Sequence, residues 1–338
     1  MRAVIYSETG PSSVLRVVDR PVPEPGEGEV RVRVVRAGVN PTDWKFRAGG
    51  MGPLAFDEVS PGQDAAGVVD AVGAGVTGLA VGDRVWTYLT QYGRRYGSAT
   101  EYTVVPARLA VPLPEGASFD LGASLGVPAV TAHRLLTSGP VARLSPGALE
   151  GRPILVHGGA GAVGNAAIQL ATWAGATVIA TISSPEKAEL ARAAGAAHTV
   201  DYTTGDPRAD ILALAPDGVD QIVEVAPARN TELDREVAAL GATIGVYANN
   251  SGDEMTLSVR ATFSKNLRYQ FVLLYTVAPG LLAAAAEDLT AAIADGGFRV
   301  GDERGLPLHR FPLEDTAAAH DAVEGGAIGK VLIDVAAG

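Results

Sequence analysis

The chain has 338 residues, enough for about two domains at roughly 150 residues each, and its 47% hydrophobic and 19% charged residues exclude a largely disordered chain. Its 27 basic and 38 acidic side chains give a formal net charge of -11, which disfavours nucleic acid and anionic membranes as partners. The absence of cysteine excludes disulfides, thiolate-bound zinc and cysteine nucleophiles, and the N-terminus lacks the layout of a signal peptide, so we expect a cytoplasmic protein.

The chain up to about residue 120 has the pattern of a β-rich domain. Val30 to Val39 alternates apolar and charged residues with a period of two, as a half-exposed strand does. Pro61 to Val85 continues with short valine-rich runs that are interrupted by glycines. We therefore predict a mostly antiparallel barrel or sandwich in this part.

From about Leu121 onward, helical patterns alternate with short apolar runs, which is typical of βαβ units and a parallel sheet. The predicted strands are Ile154 to Val156, Thr177 to Ile182, His198 to Val200, Gln221 to Val225, Ala242 to Val246 and Leu267 to Leu274. Helices over Leu281 to Asp295 and Leu313 to Glu324 follow, and the apolar run Val331 to Val335 comes last. The fold class predicted from these patterns is α/β, with a β-rich domain and a doubly wound parallel sheet.

The longest uncharged stretch, Tyr269 to Ala286, has the length of a membrane span but not its composition. Pro279 and Gly280 interrupt it in the middle. We predict a buried strand followed by a helix, and no membrane crossing.

The glycine pattern GxGxxG occurs twice, at Gly159-x-Gly161-x-x-Gly164 and at Gly73-x-Gly75-x-x-Gly78. The first copy follows the apolar run RPILV and precedes a helical pattern that ends at Gly175. The second copy is followed by another strand-like run, so we predict a hairpin there. Only the first copy can direct the free N–H groups of a helix N-terminus, at Ala160, Ala162 and Val163, towards the diphosphate of a dinucleotide.

The end of the next predicted strand indicates which dinucleotide is bound. An NAD-binding protein carries an acid there for the ribose, whereas this chain has Ser183 and Ser184 followed by Lys187. Ser184 is predicted to cap the following helix, with Pro185 at its first position. A 2′-phosphate would turn the unfavourable cation in the first turn into a favourable one, so we predict NADPH. In the alternative interpretation, Glu186 merely neutralises Lys187 on the surface.

Several motifs in a fixed order resemble the medium-chain dehydrogenase/reductase superfamily over essentially the whole chain. They are Ala37 to Asp43, Pro61 to Gly67, Val81 to Val85, Gly126 to Ala132, His157 to Gly164 and Gly329-Lys-Val-Leu. The chain is most similar to the zinc-free, zeta-crystallin-type NADPH:quinone oxidoreductases. This resemblance implies a GroES-like catalytic domain over residues 1–123, a Rossmann domain over 124–266, and a segment over 267–338 that adds an edge strand and returns to the catalytic domain. It implies an active cleft between the domains.

The resemblance also implies an enzyme without a catalytic metal. Zinc-dependent members carry Cys where this chain has Asn40, and a His-Glu pair where it has Gln63-Asp64. Without a Lewis acid, the suitable hydride acceptors are a quinone or the β-carbon of an enone, in which the added electrons delocalise. We expect a quinone reductase; the alternative is a 2-alkenal or enone reductase. The family is often dimeric or tetrameric, and Leu267 to Leu274 is the candidate edge for assembly.

Residue roles follow from the same resemblance. Asn40 and Thr131 are expected to flank nicotinamide and substrate as the catalytic residues, and Tyr202 and Lys187 to contact the 2′-phosphate. Asn266, Lys330 and the strand end at Val246 are expected in the cofactor cleft. The family often has Tyr where this chain has Lys45, and the remaining candidate substrate contacts are Gln63, Trp44, Tyr88 and Tyr92.

Simpler structural roles stay open for some of these residues. Asn40 is also suited to a turn, Asp43 to a helix cap, Thr131 to a hydrogen bond within its helix, and Tyr202 to the core or its rim.

Other functions of the whole chain stay open as well. Gly122-Ala-Ser124-Leu-Gly126 spells the serine-hydrolase elbow, but the residues before it are poor strand formers and Ser118 with Asp120 indicates a helix start. The five histidines show no metal-ligand spacing such as HExxH. A non-catalytic NADPH-binding protein is a further alternative.

Overall fold

The computed structural model describes residues 1–50 and 52–336. The N-terminal elements are β1 (Arg2–Ile5), β2 (Arg16–Asp19), β3 (Glu29–Val39), α1 (Pro41–Arg47), β4 (Asp64–Val72), β5 (Arg84–Thr87), β6 (Tyr102–Pro106), β7 (Ala110–Pro112), α2 (Phe119–Gly122) and α3 (Gly126–Leu136). The middle elements are β8 (Pro153–Val156), α4 (Ala162–Trp173), β9 (Thr177–Ile182), α5 (Pro185–Ala194), β10 (His198–Asp201), α6 (Pro207–Leu214), β11 (Val219–Glu224), α7 (Pro227–Val237), β12 (Ala238–Val246), α8 (Val259–Phe263), β13 (Arg268–Phe271) and α9 (Pro279–Ala294). The last elements are β14 (Leu308–Pro312), α10 (Thr316–Glu324) and β15 (Lys330–Asp334).

The chain divides into two compact units. The first unit combines Met1–Pro128 with the chain from Pro307 onward, and the second is Ala129–Leu306. The second unit is therefore inserted into the first. The chain passes from one unit to the other after Pro128 and after Leu306, whereas the resemblance implies domain boundaries after residues 123 and 266. α9 belongs to the second unit.

The first unit is built on a mostly antiparallel sheet with the strand order β14-β15-β3-β4-β5-β7, in which β6 also pairs with β3. The central strand β3 pairs antiparallel with β15, so that Val331 lies opposite Val39. The strands bury one apolar cluster that includes Val34, Ala65 and Ile333. The second glycine pattern lies between the antiparallel strands β4 and β5, which confirms the predicted hairpin.

The second unit is built on a parallel sheet with the order β10-β9-β8-β11-β12-β13. This is the strand order of a Rossmann fold, in which the order of the strands reverses between the first and the fourth, β8 and β11, while all strands stay parallel. Leu155, Ile222 and Ile244 from neighbouring strands lie in one buried core. The β-rich unit and the doubly wound sheet confirm the predicted α/β fold class.

The predicted strand and helix within Tyr269 to Ala286 are present as β13 and α9, but the predicted burial of the strand is wrong. β13 pairs on one side only, with β12, and Phe271 is 59% exposed. An edge position explains the exposure, because only one flank of an edge strand is covered. Within residues 1–50 and 52–336, no helix is long and apolar enough to cross a bilayer.

Candidate functional site

The first glycine motif forms the turn between β8 and α4, at the carboxyl edge of the parallel sheet. Gly158 has a left-handed backbone with φ 68°, and Gly159 N donates to the carbonyl of Thr181 on β9 at 3.3 Å. Gly161 caps α4 in an extended conformation. The N–H groups of the first turn of a helix have no acceptor within the helix, so they are available to an anion at this edge.

The glycines of this loop are required for different reasons. A Cβ at Gly164 would lie 2.3 Å from the carbonyl oxygen of Gly158, so only glycine lets α4 start this close to the loop. A Cβ at exposed Gly161 would meet only that same oxygen, at 3.4 Å. The protein therefore leaves the space above Gly161 open, as the close approach of a diphosphate requires. The loop fits a dinucleotide.

Hydroxyl groups and the ammonium group of Lys187 lie at the carboxyl end of β9. Ser184 caps α5 by accepting from Lys187 N, with Pro185 in the first turn, which confirms the predicted cap. Lys187 Nζ donates to Ser183 Oγ at 2.8 Å. Tyr202 follows β10, and its backbone N–H donates to the carbonyl of Ile182 at 3.1 Å, so Tyr202 lies beside the same strand end. These predicted phosphate contacts are brought together.

The carboxyl ends of β12 and β13 border a cavity of about 560 Å³. Val246, Tyr247, Asn249, Phe271 and Thr276 are among its lining residues. Val246 was predicted in the cofactor cleft, and it lies at the same edge of the sheet as the glycine loop.

Sequence reasoning missed a buried charged cluster directly behind the glycine loop. His157 Nε2 lies 2.9 Å from Asp234 Oδ1 and 3.4 Å from Glu224 Oε2, and its Nδ1 lies 2.9 Å from Thr181 Oγ1. Glu224 is the last residue of β11, and Asp234 lies on α7. These atoms are as close together as metal ligands would be, but the direct 2.9 Å contact is that of an ion pair, with a proton between the atoms.

Burial alone would lower the pKa of His157, but the carboxylates of Glu224 and Asp234 raise it to about 9. Burial raises the pKa of Glu224 to about 7, with a further contribution from Asp234 that opposes the lowering effect of His157. The sequence held a weak signal for this cluster, since His157 belongs to the glycine motif and Glu224 lies in the predicted strand Gln221 to Val225. The sequence gives no signal for Asp234, because its contact with His157 depends on where helix α7 packs.

In the first unit, the predicted catalytic residue Asn40 is held by a buried ion pair. Asn40 Nδ2 donates to Asp64 Oδ2 at 2.7 Å, and Lys330 Nζ donates to Asn40 Oδ1 at 2.7 Å and to Asp64 Oδ2 at 3.1 Å. Asp64 Oδ1 accepts from Val127 N at 2.7 Å. Lys330 is 1% exposed, and its ammonium group contacts Asn40 and Asp64 in the interior of this unit. Both ends of the Asn40 amide are therefore fixed. The place of Lys330 in the cofactor cleft stays a prediction.

Asp43 has the predicted alternative role of a helix cap. Its Oδ2 accepts from Asn40 N at 2.7 Å at the start of α1, while its buried Oδ1 has no hydrogen-bond partner among the described residues. Burial and the nearby Asp64 raise the pKa of Asp43 to about 7, although the Asn40 N–H and Lys330 act in the opposite direction.

We expect Asp43→Asn to stabilise the protein at pH 8. The folded protein binds a proton on Asp43 more tightly than the unfolded chain does, so this carboxyl makes folding less favourable as pH rises from about 4 to 7. The amide still accepts from Asn40 N, and the free energy of unfolding should increase by about 2–4 kcal/mol at pH 8 but by less than about 1 kcal/mol at pH 4. Urea denaturation at both pH values measures this. Exposed Asp57→Asn is the control, and an equal gain in both variants would contradict the prediction.

The other predicted substrate residues lie in the first unit. Gln63 Oε1 accepts from Tyr92 N at 3.2 Å, and Gln63 Nε2 donates to Gln91 at 3.0 Å. Tyr88 is buried 5.6 Å from the ring of Trp86. The ammonium group of Lys45 lies 5.8 Å from the centre of the Trp44 ring. The indole of Trp44 is therefore next to the residue that replaces the expected tyrosine.

Two further predicted site residues, Thr131 and Asn266, lie in the second unit. Thr131 is buried on α3, in the second unit. Asn266 has φ 50° in the turn before β13, and the parallel pairing of β13 with β12 puts this turn at the amino edge of the sheet. The glycine loop and Val246 lie at the opposite, carboxyl edge. The position of Asn266 therefore does not fit the predicted contact with the cofactor.

The donor set in the first unit does not fit catalytic zinc. The chain has no cysteine, both ends of the Asn40 amide are engaged, and the Gln63 side chain faces Gln91 and Tyr92. The ammonium of Lys330 beside Asp64 would also repel a divalent cation.

The hydrolase alternative is not supported either. Ser124 follows helix α2, which Ser118 caps as predicted, instead of following a strand. Ser124 Oγ is buried and donates to the carbonyl of Asp120 at 2.7 Å. A nucleophile elbow requires a strand before an exposed serine.

Known proteins resemble this chain both in sequence and in fold. Residues 26–115 match the family model described as "Alcohol dehydrogenase GroES-like domain", and residues 162–291 match "Zinc-binding dehydrogenase". A curated quinone oxidoreductase from Rattus norvegicus is 31% identical over 98% of this chain and 97% of its own. A 2-haloacrylate reductase from Burkholderia is 37% identical over 61% of this chain and 60% of its own. A mycobacterial protein solved in complex with NADPH is 29% identical, with a TM-score of 0.83 over 99% of this chain and 100% of that one.

Proposed function

Because the chain belongs to the quinone oxidoreductase family of medium-chain dehydrogenases/reductases, we propose that it transfers hydride from NADPH to a quinone or a related conjugated carbonyl, without a metal. The observation that carries the proposal is the pairing of an open glycine loop with a cationic strand end at Lys187, on one edge of a parallel sheet. NADPH would supply the hydride and its electrons.

The second unit provides the binding groups. The free N–H groups at the start of α4, at Ala162 to Gly164, are suited to the diphosphate. Lys187, Ser183 and Tyr202 are suited to the 2′-phosphate, because an ammonium and hydroxyl groups meet there. The NADPH complex of the mycobacterial relative supports this choice of cofactor.

The first unit contributes a fixed amide. Lys330 and Asp64 hold both ends of Asn40, so this amide cannot reorient during a reaction. We propose Asn40 and Thr131 as residues next to the reacting groups, which orient the acceptor and exclude water. The zinc ligands are missing, which favours acceptors that delocalise the added electrons themselves.

A 2-alkenal or enone reductase is the second candidate, because the chain is similar to a 2-haloacrylate reductase over part of its length. Both reactions use the same cofactor and differ in the acceptor. Curated quinone oxidoreductases from Rattus norvegicus and Pseudomonas aeruginosa match over 98% and 94% of this chain, which favours the quinone.

Steady-state kinetics with both acceptor classes tests the proposal. We expect kcat/KM with NADPH to be at least tenfold higher for 1,4-benzoquinone or 9,10-phenanthrenequinone than for a 2-alkenal. The reverse order would favour the second candidate. NADPH binding without turnover of any acceptor would contradict both and favour a non-catalytic binding protein.

We also propose that the protein works in the cytoplasm as a homodimer or homotetramer assembled through β13. β13 is an edge strand that pairs only with β12 among the described residues, and its neighbourhood exposes Phe271, Leu273, Val259 and Phe263. Edge strands of two copies can pair around a twofold axis and cover such side chains.

Phe271→Lys is expected to yield a monomer. The added charge would be buried against the second copy, which costs more than an apolar contact gains. Light scattering coupled to size-exclusion chromatography measures the mass. Val81→Lys, at a side chain that is 66% exposed in the first unit, should leave the assembly unchanged. A wild-type protein that is already monomeric would refute the assembly.

A further inference from the structure

The buried cluster of His157, Glu224 and Asp234 is joined to the glycine loop by short connections. His157 directly precedes Gly158, and its backbone N–H donates to the carbonyl of Val223 at 3.0 Å. Thr181 contacts both parts, because its Oγ1 meets His157 Nδ1 at 2.9 Å and its carbonyl accepts from Gly159 N at 3.3 Å. The cluster and the loop therefore occupy the same edge of the sheet, at the ends of β8, β9 and β11.

The charges of this cluster do not balance when both acids are ionised. Two carboxylates surround one imidazolium, and all three side chains are at most 4% exposed. A net buried negative charge is unfavourable, and it becomes more so when an anion binds nearby. A proton on one carboxyl group would restore neutrality.

We propose that this cluster is a proton-binding site coupled to the glycine loop, and that Glu224 takes up a proton from solvent when the cofactor diphosphate binds. The inference rests on the proposed function, because it assumes a dinucleotide at the loop. His157 and Asp234 act as positioning residues, and none of the three side chains needs to touch the cofactor.

Glu224 is the member that is suited to this role. Its Oε1 accepts from Ala226 N and from Asn230 Nδ2, which a protonated or an amide side chain can retain. Burial already raises its pKa to about 7, so a second negative charge would raise it through the neutral range.

The other groups facing the cluster do not compete for this proton. Tyr247 follows β12 and Tyr269 lies on β13, and burial raises the pKa of both phenols above the ordinary value. Arg235 on α7 is a permanent cation, and Thr181 and Asn230 do not titrate. His157 stays protonated at neutral pH because of the two carboxylates.

Because the complex would hold more protons than the free protein, the affinity for NADPH must fall as pH rises. If the pKa of Glu224 rises by one unit on binding, the Kd increases about fivefold between pH 7 and pH 9. About half a proton is taken up near pH 7.5 under the same assumption. The 2′-phosphate is almost fully ionised over this range and contributes little.

Titration calorimetry of NADPH binding in buffers with different ionisation enthalpies counts these protons. We expect uptake by the wild-type protein, and neither uptake nor the fivefold loss of affinity in Glu224→Gln, which should bind more tightly than the wild type at pH 9. Glu232→Gln removes an exposed carboxylate from helix α7, which carries Asp234, and should behave like the wild type. If Glu224→Gln does not fold, Asp234→Asn provides the same test. It leaves one carboxylate, Glu224, beside one imidazolium, His157, so the charges balance and no proton uptake is expected.

The outcomes separate the inference from the proposed function. If NADPH binds without proton uptake, or if uptake persists in Glu224→Gln, the inference is wrong and the proposed function stands. If neither coenzyme binds, the proposed function itself is wrong. A stoichiometric divalent metal in the purified protein would also overturn the inference, since the metal would supply the missing positive charge.

Discussion

Lys187→Ala is expected to weaken NADPH binding about tenfold to a hundredfold while changing NADH binding by less than about twofold. The ammonium is the cation that the structure holds at the carboxyl end of β9, where Ser183 orients it at 2.8 Å. A charge-assisted hydrogen bond to a phosphate contributes about 1.5–3 kcal/mol, and NADH has no phosphate at this position. Fluorescence titration with both coenzymes measures the two dissociation constants.

Two further variants show whether this effect is specific. Lys187→Arg keeps the charge and should retain most of the affinity for NADPH. Arg192→Ala removes a cation from the far end of the same helix, where it pairs with Glu189 at 2.7 Å, and should change neither constant. Equal losses for NADPH and NADH in Lys187→Ala would show that Lys187 does not bind the 2′-phosphate.

Lys330→Met is expected to lower the free energy of unfolding by about 3–5 kcal/mol. It removes the only cation that contacts Asp64 in the part of the chain that the structure describes, and the carboxylate stays buried. Breaking a buried ion pair from one side costs this much because the remaining charge is uncompensated. Urea denaturation followed by tryptophan fluorescence, to which Trp86 contributes from the interior of the same unit, measures the loss.

A second substitution separates the ion pair from the loss of packing. The double variant Lys330→Met/Asp64→Asn leaves no uncompensated charge and should recover more than half of the lost stability. Partly exposed Lys45→Met is the control and should change stability by less than about 0.5 kcal/mol. If the double variant were less stable than the single one, the cost would come from packing.

Local features of both units could be predicted from the sequence because they depend on neighbouring residues. β9 has the predicted bounds Thr177–Ile182, and Ser184 with Pro185 starts the next helix as expected. The two glycine patterns were told apart by the residues on either side of each. These features need only periodicity, cap residues and turn residues within a short window.

The electrostatics of the candidate site could not be predicted in the same way. Lys330 reaches Asn40 across 290 residues of chain, and His157 reaches Asp234 across 77. Such contacts depend on which strands become neighbours, and one sequence does not encode that in any short pattern. Asn266 illustrates a related problem: a residue in a turn can lie at either edge of a sheet, and only the strand pairing decides which.

The insertion of the second unit into the first affects how the chain emerges from the ribosome. Residues 129–306 are synthesised before β14 and β15, so the second unit can fold while the first still lacks part of its sheet. During this interval β3 has an open flank where β15 will pair, and Asp64 has no ammonium partner. A nascent or truncated chain that stops before Lys330 would therefore expose the unpaired backbone N–H and C=O groups of β3. Such an open strand edge is a target for chaperones or for aggregation.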